Sequence, residues 1–270
     1  PPWGAVLGHE TAHIIRSECG ATSMFGGGAV LRGLPGHGSL VTAGALEAAF
    51  AATNWGDPHH SQPAVLSLTG PTDMGALYRP EQIAALAHQA KERGLRVHLD
   101  GARLANAIVA LGCSPADLTW RAGVDVLSLG ATKNGALSTD AIVCFDRDPA
   151  GQLVYRLKRA GHVPSKMRFQ SVQLEAYLTD DLWLHLAADA NTAMGRLARG
   201  LVDLGVELIA EPEVNMAYAL VDDAVPDRLE AEGVDFYRMG DGTIRLVTSF
   251  QTTTDDVDRA LKAFASAIGR

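Results

Sequence analysis

Short apolar segments rich in Val, Ile and Leu alternate along this chain with amphipathic helical patterns. The apolar segments have the length and composition of buried strands, and they lie at residues 64–69, 95–99, 124–129 and 141–145. Between them, apolar residues recur at helical spacing from Pro80 to Gly94 and again over 102–111. Because strands that alternate with helices pair side by side in one direction, the pattern predicts an α/β fold with a mostly parallel sheet.

The pattern changes in the last third of the chain. From residue 167 to 204 it is helical throughout, and after Gly205 short strands and helices return, ending in a helix that starts near Thr254. We therefore predict a large domain over residues 1–195 and a smaller C-terminal α/β domain over residues 196–270.

Composition excludes several classes of protein. Hydrophobic residues make up 47% and charged residues 20% of the chain, which is incompatible with intrinsic disorder. The net charge of −8 and the lack of a long basic run argue against nucleic-acid and membrane partners. Three well-separated cysteines and the lack of a secretion signal or membrane-length apolar segment predict a reduced, cytoplasmic protein. The chain begins at Pro1 without an initiator Met, which predicts a fragment or a processed chain.

Two short motifs allow competing interpretations. His9, Glu10 and His13 match the pattern of zinc hydrolases, which requires a helix so that both histidines share one face. An apparent strand precedes the motif, however, and favours a strand-to-loop corner with one functional histidine. The run Gly26-Gly27-Gly28 resembles a phosphate cradle, but the strand-like residues after it favour a flexible turn.

Two charged residues follow predicted strands. Asp100 lies where a strand ends and a helix begins, which suits either a helix N-cap or a ligand-binding carboxylate. Lys133, flanked by small residues, follows the next strand and is either a solvated surface charge or a group positioned for a planar ligand. Together they match a pair in which a carboxylate holds a pyridine nitrogen and a lysine amine forms a Schiff base with an aldehyde. Arg245, between apolar strand residues, suits either an exposed edge or capture of a carboxylate.

These motifs resemble one family in order and over nearly the whole chain from His9 onward. The segments that carry the resemblance are residues 98–103, 129–137, 180–184 and 244–249. They are similar to the threonine aldolase branch of the β-eliminating lyases, of the low-specificity L-threonine aldolase or phenylserine aldolase type. The resemblance implies the aspartate-aminotransferase-like fold, called fold type I, and pyridoxal 5′-phosphate as the cofactor.

The resemblance also implies roles for single residues. Lys133 would carry the cofactor, Asp100 would pair with its pyridine nitrogen, and Arg103 would lie near its phenolic oxygen. His13 would stack on the ring and Arg245 would bind the substrate α-carboxylate. One further residue, Arg168, resembles an arginine that reaches the cofactor phosphate, often across a subunit interface. No metal site is implied.

The sequence departs from the family in two places. The family's N-terminal segment, with a Gly-Thr phosphate loop and a Tyr-Gly-Asp-type segment, does not precede these motifs here. Many relatives also carry a histidine near the substrate hydroxyl, in the loop that corresponds to residues 70–75, and this loop has none. Abstraction of the β-hydroxyl proton then falls to His13, to a water or to another group.

The predicted reaction is retro-aldol cleavage of a β-hydroxy-α-amino acid to glycine and an aldehyde, with Lys133, His13 and Asp100 as catalytic residues. L-Threonine, L-allo-threonine and phenylserine are the candidate substrates. The alternatives are β-elimination on an aromatic amino acid, a zinc hydrolase using His9, Glu10 and His13, and an inactive truncated fragment. The resemblance further implies a homodimer or homotetramer.

Overall fold

The first of two sheets has six strands, most of them parallel, as the sequence predicts. In this computed structural model, which describes residues 1–270 apart from the side chain of Asp148, the strand order is β2-β1-β3-β4-β5-β6. The strands are β1 (Gly4–His9), β2 (Val30–Leu34), β3 (Gln62–Thr69), β4 (Arg96–Gly101), β5 (Val126–Gly130) and β6 (Asp140–Cys144). Only β6 runs antiparallel to its neighbour. The carboxyl ends of β1 to β5 therefore lie at one edge of the sheet.

The second sheet is antiparallel, with the order β7-β8-β10-β9. Its strands are β7 (Glu207–Leu208), β8 (Met216–Leu220), β9 (Tyr237–Gly240) and β10 (Thr243–Val247). The helices are α1 (His13–Arg16), α2 (Ala21–Phe25), α3 (Ala43–Ala51), α4 (Pro80–Glu92), α5 (Leu104–Leu111), α6 (Arg147–Arg159), α7 (Arg168–Leu178), α8 (Leu182–Asp203), α9 (Val225–Ala231) and α10 (Thr254–Ala267).

Local sequence explains the elements that flank the first sheet. Pro80 occupies the first turn of α4, where its missing N–H costs no hydrogen bond, and Gly94 with φ +77° follows the helix end. The buried residues of α4 are Ile83, Leu86, Ala87 and Ala90, one apolar stripe at helical spacing. In β4, Val97 and Leu99 are buried on one face, and each large aliphatic side chain buried in this way contributes about 2 kcal/mol.

Each sheet has its own hydrophobic core, and α8 contributes to both. Trp183 and Ala187, in the first half of α8, belong to the core of the first sheet. From Ala193 onward the buried residues of α8 pack with the second sheet and α10. The division at residues 195 and 196 remains a prediction, since one continuous helix crosses it. In the described part of the chain, no helix is both long and apolar enough to cross a membrane.

Candidate active site

Three polar residues meet at the carboxyl edge of the first sheet. Parallel pairing places Thr69 of β3 beside Asp100 of β4, and Asp100 beside Ser128 of β5. Asp100 accepts a hydrogen bond from the backbone N–H of Ala102 at 3.0 Å through Oδ1. It is not the N-cap of α5, because that helix starts at Leu104 and its N-cap is Arg103. Oδ2 therefore remains available to a ligand at the edge.

A half-buried histidine lies beneath this edge. His98 precedes Asp100 by two residues and therefore shares its face of β4. Its Nδ1 lies 2.9 Å from Ser67 Oγ and its Nε2 lies 3.0 Å from Ser128 Oγ, so both ring nitrogens are bound by hydroxyls. Burial lowers the pKa of His98, and the nearby Asp100 carboxylate opposes that shift. The site consequently rests on a neutral imidazole held between two serines.

Lys133 lies in a tight turn that its neighbours fix. The carboxylate of Asp140 accepts hydrogen bonds from the backbone N–H groups of Ala131 at 2.8 Å and Thr132 at 3.1 Å. On the other side, the buried Asn134 side chain donates to the Tyr177 hydroxyl and to the Trp183 carbonyl, each at 2.8 Å. The backbone of Lys133 is thus held from both sides, while its own ammonium makes no salt bridge to any described residue.

Close backbone packing joins the two strands that carry these groups. Before the turn, Gly130 lies so near Ala102 that a Cβ atom added to it would come within 2.5 Å of the Ala102 carbonyl oxygen. Any side chain at position 130 would push the Lys133 turn away from the end of β4. Glycine is therefore required at this position for the approach of the two strand ends, and not for an unusual φ angle.

A cavity of about 250 Å³ lies above this edge and brings together four predicted site residues, namely Asp100, Lys133, His13 and Arg103. Its volume is just below the usual range of small-molecule sites, about 300–1,000 Å³. Asp100 and Lys133 do not form a salt bridge within 4.0 Å, although both line the cavity. The space between an unpaired ammonium and a carboxylate is what a ring with a basic nitrogen and an aldehyde would occupy.

The two histidines of the zinc-like motif lie in different elements. His9 ends β1 and is buried, and its Nδ1 lies 2.8 Å from the Thr11 hydroxyl. His13 begins α1, lines the cavity and pairs with Glu18 through Nδ1 at 2.6 Å. This is not the single helix that the zinc alternative requires, and no group of metal-ligating side chains assembles among the described residues.

The loop after β3 adds a carboxylate that the motif analysis missed. Asp73 lines the same cavity, and its Oδ2 accepts a hydrogen bond from the backbone N–H of His13 at 3.0 Å. Burial raises the pKa of Asp73, and the His13 N–H partly opposes the shift. Asp73 lies in the loop beyond the strand end, and its place in the site depends on a contact with His13, which is distant in sequence.

Arg245 lies mid-strand on β10, between two tyrosines. Its cross-strand neighbours are Tyr218 on β8 and Tyr237 on β9, and its guanidinium stacks on the Tyr237 ring at 4.2 Å from the centroid. Its Nε is buried and has no hydrogen-bond partner. Arg103 lies close by, and burial together with the Arg245 charge lowers its pKa. Neither arginine forms a salt bridge with a carboxylate among the described residues, although Asp73 lies within electrostatic range of Arg103, so the pair can attract an anion.

The second sheet also holds the Asp73 loop in place. Tyr218 donates a short hydrogen bond from its hydroxyl to the Asp73 carbonyl. Farther along the loop, the Glu213 carboxylate accepts hydrogen bonds from the backbone N–H of Leu77 at 2.9 Å and from Arg79 at 2.5 Å. The position of Asp73 therefore depends on Tyr218 of the C-terminal sheet and on Glu213 in the loop between β7 and β8.

Two predicted site residues do not line the cavity: Arg245, which lies close to Arg103, and Arg168, which lies elsewhere. Arg168 begins α7, is exposed to solvent and packs against the Phe169 ring at 5.7 Å. Its predicted contact with a phosphate, across a subunit interface, stays a prediction.

The residues around the cavity fit pyridoxal 5′-phosphate on the chemistry of the side chains. The cavity offers a primary amine, a carboxylate and an imidazole, and the Thr69 hydroxyl in its wall is buried without a hydrogen-bond partner. Lys133 would hold the cofactor, Asp100 would accept from its ring nitrogen, and His13 would cover the ring.

Comparisons with known proteins show which family and fold the chain is similar to. The family model described as beta-eliminating lyase matches residues 1–224. The low specificity L-threonine aldolase of Pseudomonas aeruginosa is 40% identical over 258 residues, which cover 94% of this chain and 73% of that protein. The Leishmania major threonine aldolase structure superposes with a TM-score of 0.91 at 24% identity, covering 99% of this chain and 78% of that one.

A more distant structure shares the architecture. Thermus thermophilus aspartate aminotransferase superposes with a TM-score of 0.67 at 17% identity, covering 98% of this chain and 70% of the enzyme. The predicted aspartate-aminotransferase-like fold is therefore confirmed. The extent of the family match and the 40% identity settle the family: this chain belongs to the beta-eliminating lyases.

Proposed function

We propose that this chain cleaves a β-hydroxy-α-amino acid of the threonine type to glycine and an aldehyde, with pyridoxal 5′-phosphate as the cofactor. The observation that carries the proposal is the cavity in which Asp100 and Lys133 face one space without pairing. The low specificity L-threonine aldolase similar to this chain supports the choice of substrate.

The reaction breaks the O–H bond of the β-hydroxyl and the Cα–Cβ bond, forms the C=O bond of the aldehyde, and returns a proton to Cα. When bound, pyridoxal phosphate supplies an electron sink for the pair left at Cα. The Asp100 carboxylate strengthens that sink by holding a proton on the ring nitrogen, and the Lys133 amine holds the cofactor until substrate arrives.

The two arginines orient the substrate. Arg245, stacked on Tyr237 and next to Arg103, presents a planar donor set that suits a carboxylate. An amino acid whose carboxylate is fixed there and whose amine points to the Lys133 side is held at two points. Holding it in this way aligns the Cα–Cβ bond for cleavage, which is the main rate gain that binding residues provide.

Homo-oligomerisation and a cytoplasmic location are further parts of the proposal. Exposed apolar side chains on α6 and α7 support a partner copy, among them Tyr155 at 76% and Phe169 at 59% exposure. Arg168 lies on this same surface, which is consistent with a contact that reaches another subunit.

The test is an assay of the purified chain with pyridoxal phosphate and L-threonine, L-allo-threonine or phenylserine. We expect equal amounts of glycine and aldehyde. The control Lys133→Ala should lose the absorbance band of the bound cofactor and at least about 10³-fold in rate. Release of ammonia in place of glycine would instead indicate β-elimination, and binding of the cofactor without turnover would contradict the proposal.

A further inference from the structure

The carboxylates around the cavity are not equivalent. Four line it: Glu18, Asp73, Asp100 and Asp140. Asp140 is committed to the backbone of the Lys133 turn, and Glu18 to the imidazole of His13. Asp100 lies at the floor of the cavity, on the end of a strand. This leaves Asp73, in the loop after β3, as the fourth carboxylate.

One oxygen of Asp73 is held and the other is free. The N–H of His13 donates to Oδ2, and no described residue donates to Oδ1. The backbone of the residue is also fixed, since its carbonyl accepts from Tyr218. An oxygen without a donor, on a side chain anchored at two points, is placed to accept a hydrogen bond from a ligand in the cavity.

Asp73 also lies within electrostatic range of both groups that would hold the substrate. It interacts with the Lys133 ammonium and with the Arg103 guanidinium, which neighbours Arg245. An amino acid placed with its amine toward Lys133 and its carboxylate toward the arginines would lie in the cavity that Asp73 also lines.

We propose that Asp73 is the catalytic residue that binds the β-hydroxyl of the substrate and accepts its proton through Oδ1. The O–H bond breaks, the proton moves to Oδ1, and the electron pair of that bond becomes the second bond of the aldehyde carbonyl. The Cα–Cβ bond breaks in the same step and leaves its pair at Cα. This inference rests on the proposed function, because it assigns the base that the retro-aldol reaction needs.

The surroundings of Asp73 suit a base. Burial raises the pKa of its carboxyl above the ordinary aspartate value, and the Asp100 charge acts in the same direction. His13 and Lys133 act in the opposite direction, and Arg103 and Tyr218 complete the set of titratable groups that face it. A carboxylate with a raised pKa accepts a proton more readily than an exposed one does.

The test compares two reactions of the same site in Asp73→Asn and in the wild-type chain, both loaded with pyridoxal phosphate. Threonine cleavage requires removal of the hydroxyl proton, whereas exchange of the glycine α-hydrogen with deuterium from D2O does not. We expect the variant to lose at least about 10²-fold in kcat for cleavage. Glycine exchange should stay within about threefold of wild type.

Three further readouts separate this role from a structural one. The acid limb of the wild-type pH profile for kcat/KM should be missing in the variant. The dissociation constant for pyridoxal phosphate, measured by absorbance, should be unchanged. Without cofactor, the urea midpoint of the variant at pH 8 should be no lower than that of wild type, because a carboxylate whose pKa is raised by folding favours the fold least when it is ionised.

The outcomes are distinguishable. A wild-type chain that exchanges glycine but does not cleave threonine overturns the proposed function and, with it, this inference. A wild-type chain that cleaves threonine together with a variant of equal rate overturns the inference alone. A variant that loses glycine exchange and cleavage together also overturns it, because Asp73 would then support the whole site and not the hydroxyl step.

Discussion

The two sheets present their charged groups in different ways. In the first sheet, Asp100 and Lys133 stand at or just after strand ends, where parallel strands finish together and loops close a cavity above them. In the second sheet, Arg245 stands in the middle of a strand, with a tyrosine on each neighbouring strand. The edge of the first sheet holds two reactive groups with space between them. The face of the second sheet holds one arginine in a rigid position. This difference supports the proposal that the edge of the first sheet carries the chemistry and the face of the second sheet binds the substrate.

The largest effect on kcat should come from a substitution at the carboxyl edge of the first sheet. We expect Asp100→Asn to lower kcat for threonine by about 10²-fold or more, because a neutral amide no longer favours a positively charged ring nitrogen. KM should change by less than about threefold, since Asp100 does not meet the substrate carboxylate. Steady-state kinetics with saturating cofactor measure both constants. An unchanged kcat would remove Asp100 from the chemistry.

A substitution of Arg245, on the face of the second sheet, should change KM more than kcat. Arg245→Leu should raise KM for threonine by about 10²-fold, since the α-carboxylate loses a charged, planar partner, while kcat falls much less. Arg238 in β9 of the same sheet offers a matched control, because its guanidinium already pairs with Asp227 and Glu230 at the surface. Arg238→Leu should leave both constants unchanged. If Arg245→Leu lowered kcat and left KM intact, the assignment of recognition to the face would be wrong.

The smallest effect is a pH dependence of the free energy of unfolding, which arises from the first sheet. Residues 196–270 contain no histidine, whereas β4 contains His98, whose pKa is lowered by burial. Below about pH 6.5 the unfolded chain takes up a proton at this residue before the folded chain does. The free energy of unfolding should therefore fall as the pH falls, by up to about 1.4 kcal/mol per pH unit from this group.

Urea unfolding at pH 7.5 and 5.5 measures this dependence. His98→Asn should have a smaller pH dependence than wild type, because its side chain does not titrate. The control is His88→Asn on the surface of α4, where the histidine is exposed and pairs with Glu92 at 3.3 Å. The control should keep the wild-type dependence. Equal curves for all three proteins would show that His98 titrates alike in the folded and unfolded chains.

Much of the fold followed from local patterns. Apolar runs predicted the strands of the first sheet and their common direction, and Pro80 and Gly94 bracketed α4. Asp100 and Lys133 were identified because strand ends of a parallel sheet lie at a single edge, which depends only on strand order. The antiparallel direction of β6 was not specified, since a turn of this length permits a reversal that apolar content does not reveal.

Other features required contacts that are distant in sequence. Asp73 was missed because its importance depends on His13, 60 residues away, whose N–H fixes one of its oxygens. The place of Arg245 between Tyr218 and Tyr237 depends on the pairing register of three strands, which alternation alone does not determine. Arg168 is exposed at the start of α7, so its predicted contact with a phosphate across a subunit interface stays a prediction.

The contacts of Tyr218 and Glu213 with the loop of Asp73 have a consequence for selectivity. The C-terminal sheet, which we propose binds the α-carboxylate through Arg245, also fixes the position of the loop that carries Asp73. Substitutions at Tyr218 or Glu213 can therefore change which substrates are accepted, both by side-chain length and by configuration at the β-carbon. They would do so without contacting the substrate. A search for variants with a new aldehyde preference should therefore begin at Tyr218 and Glu213.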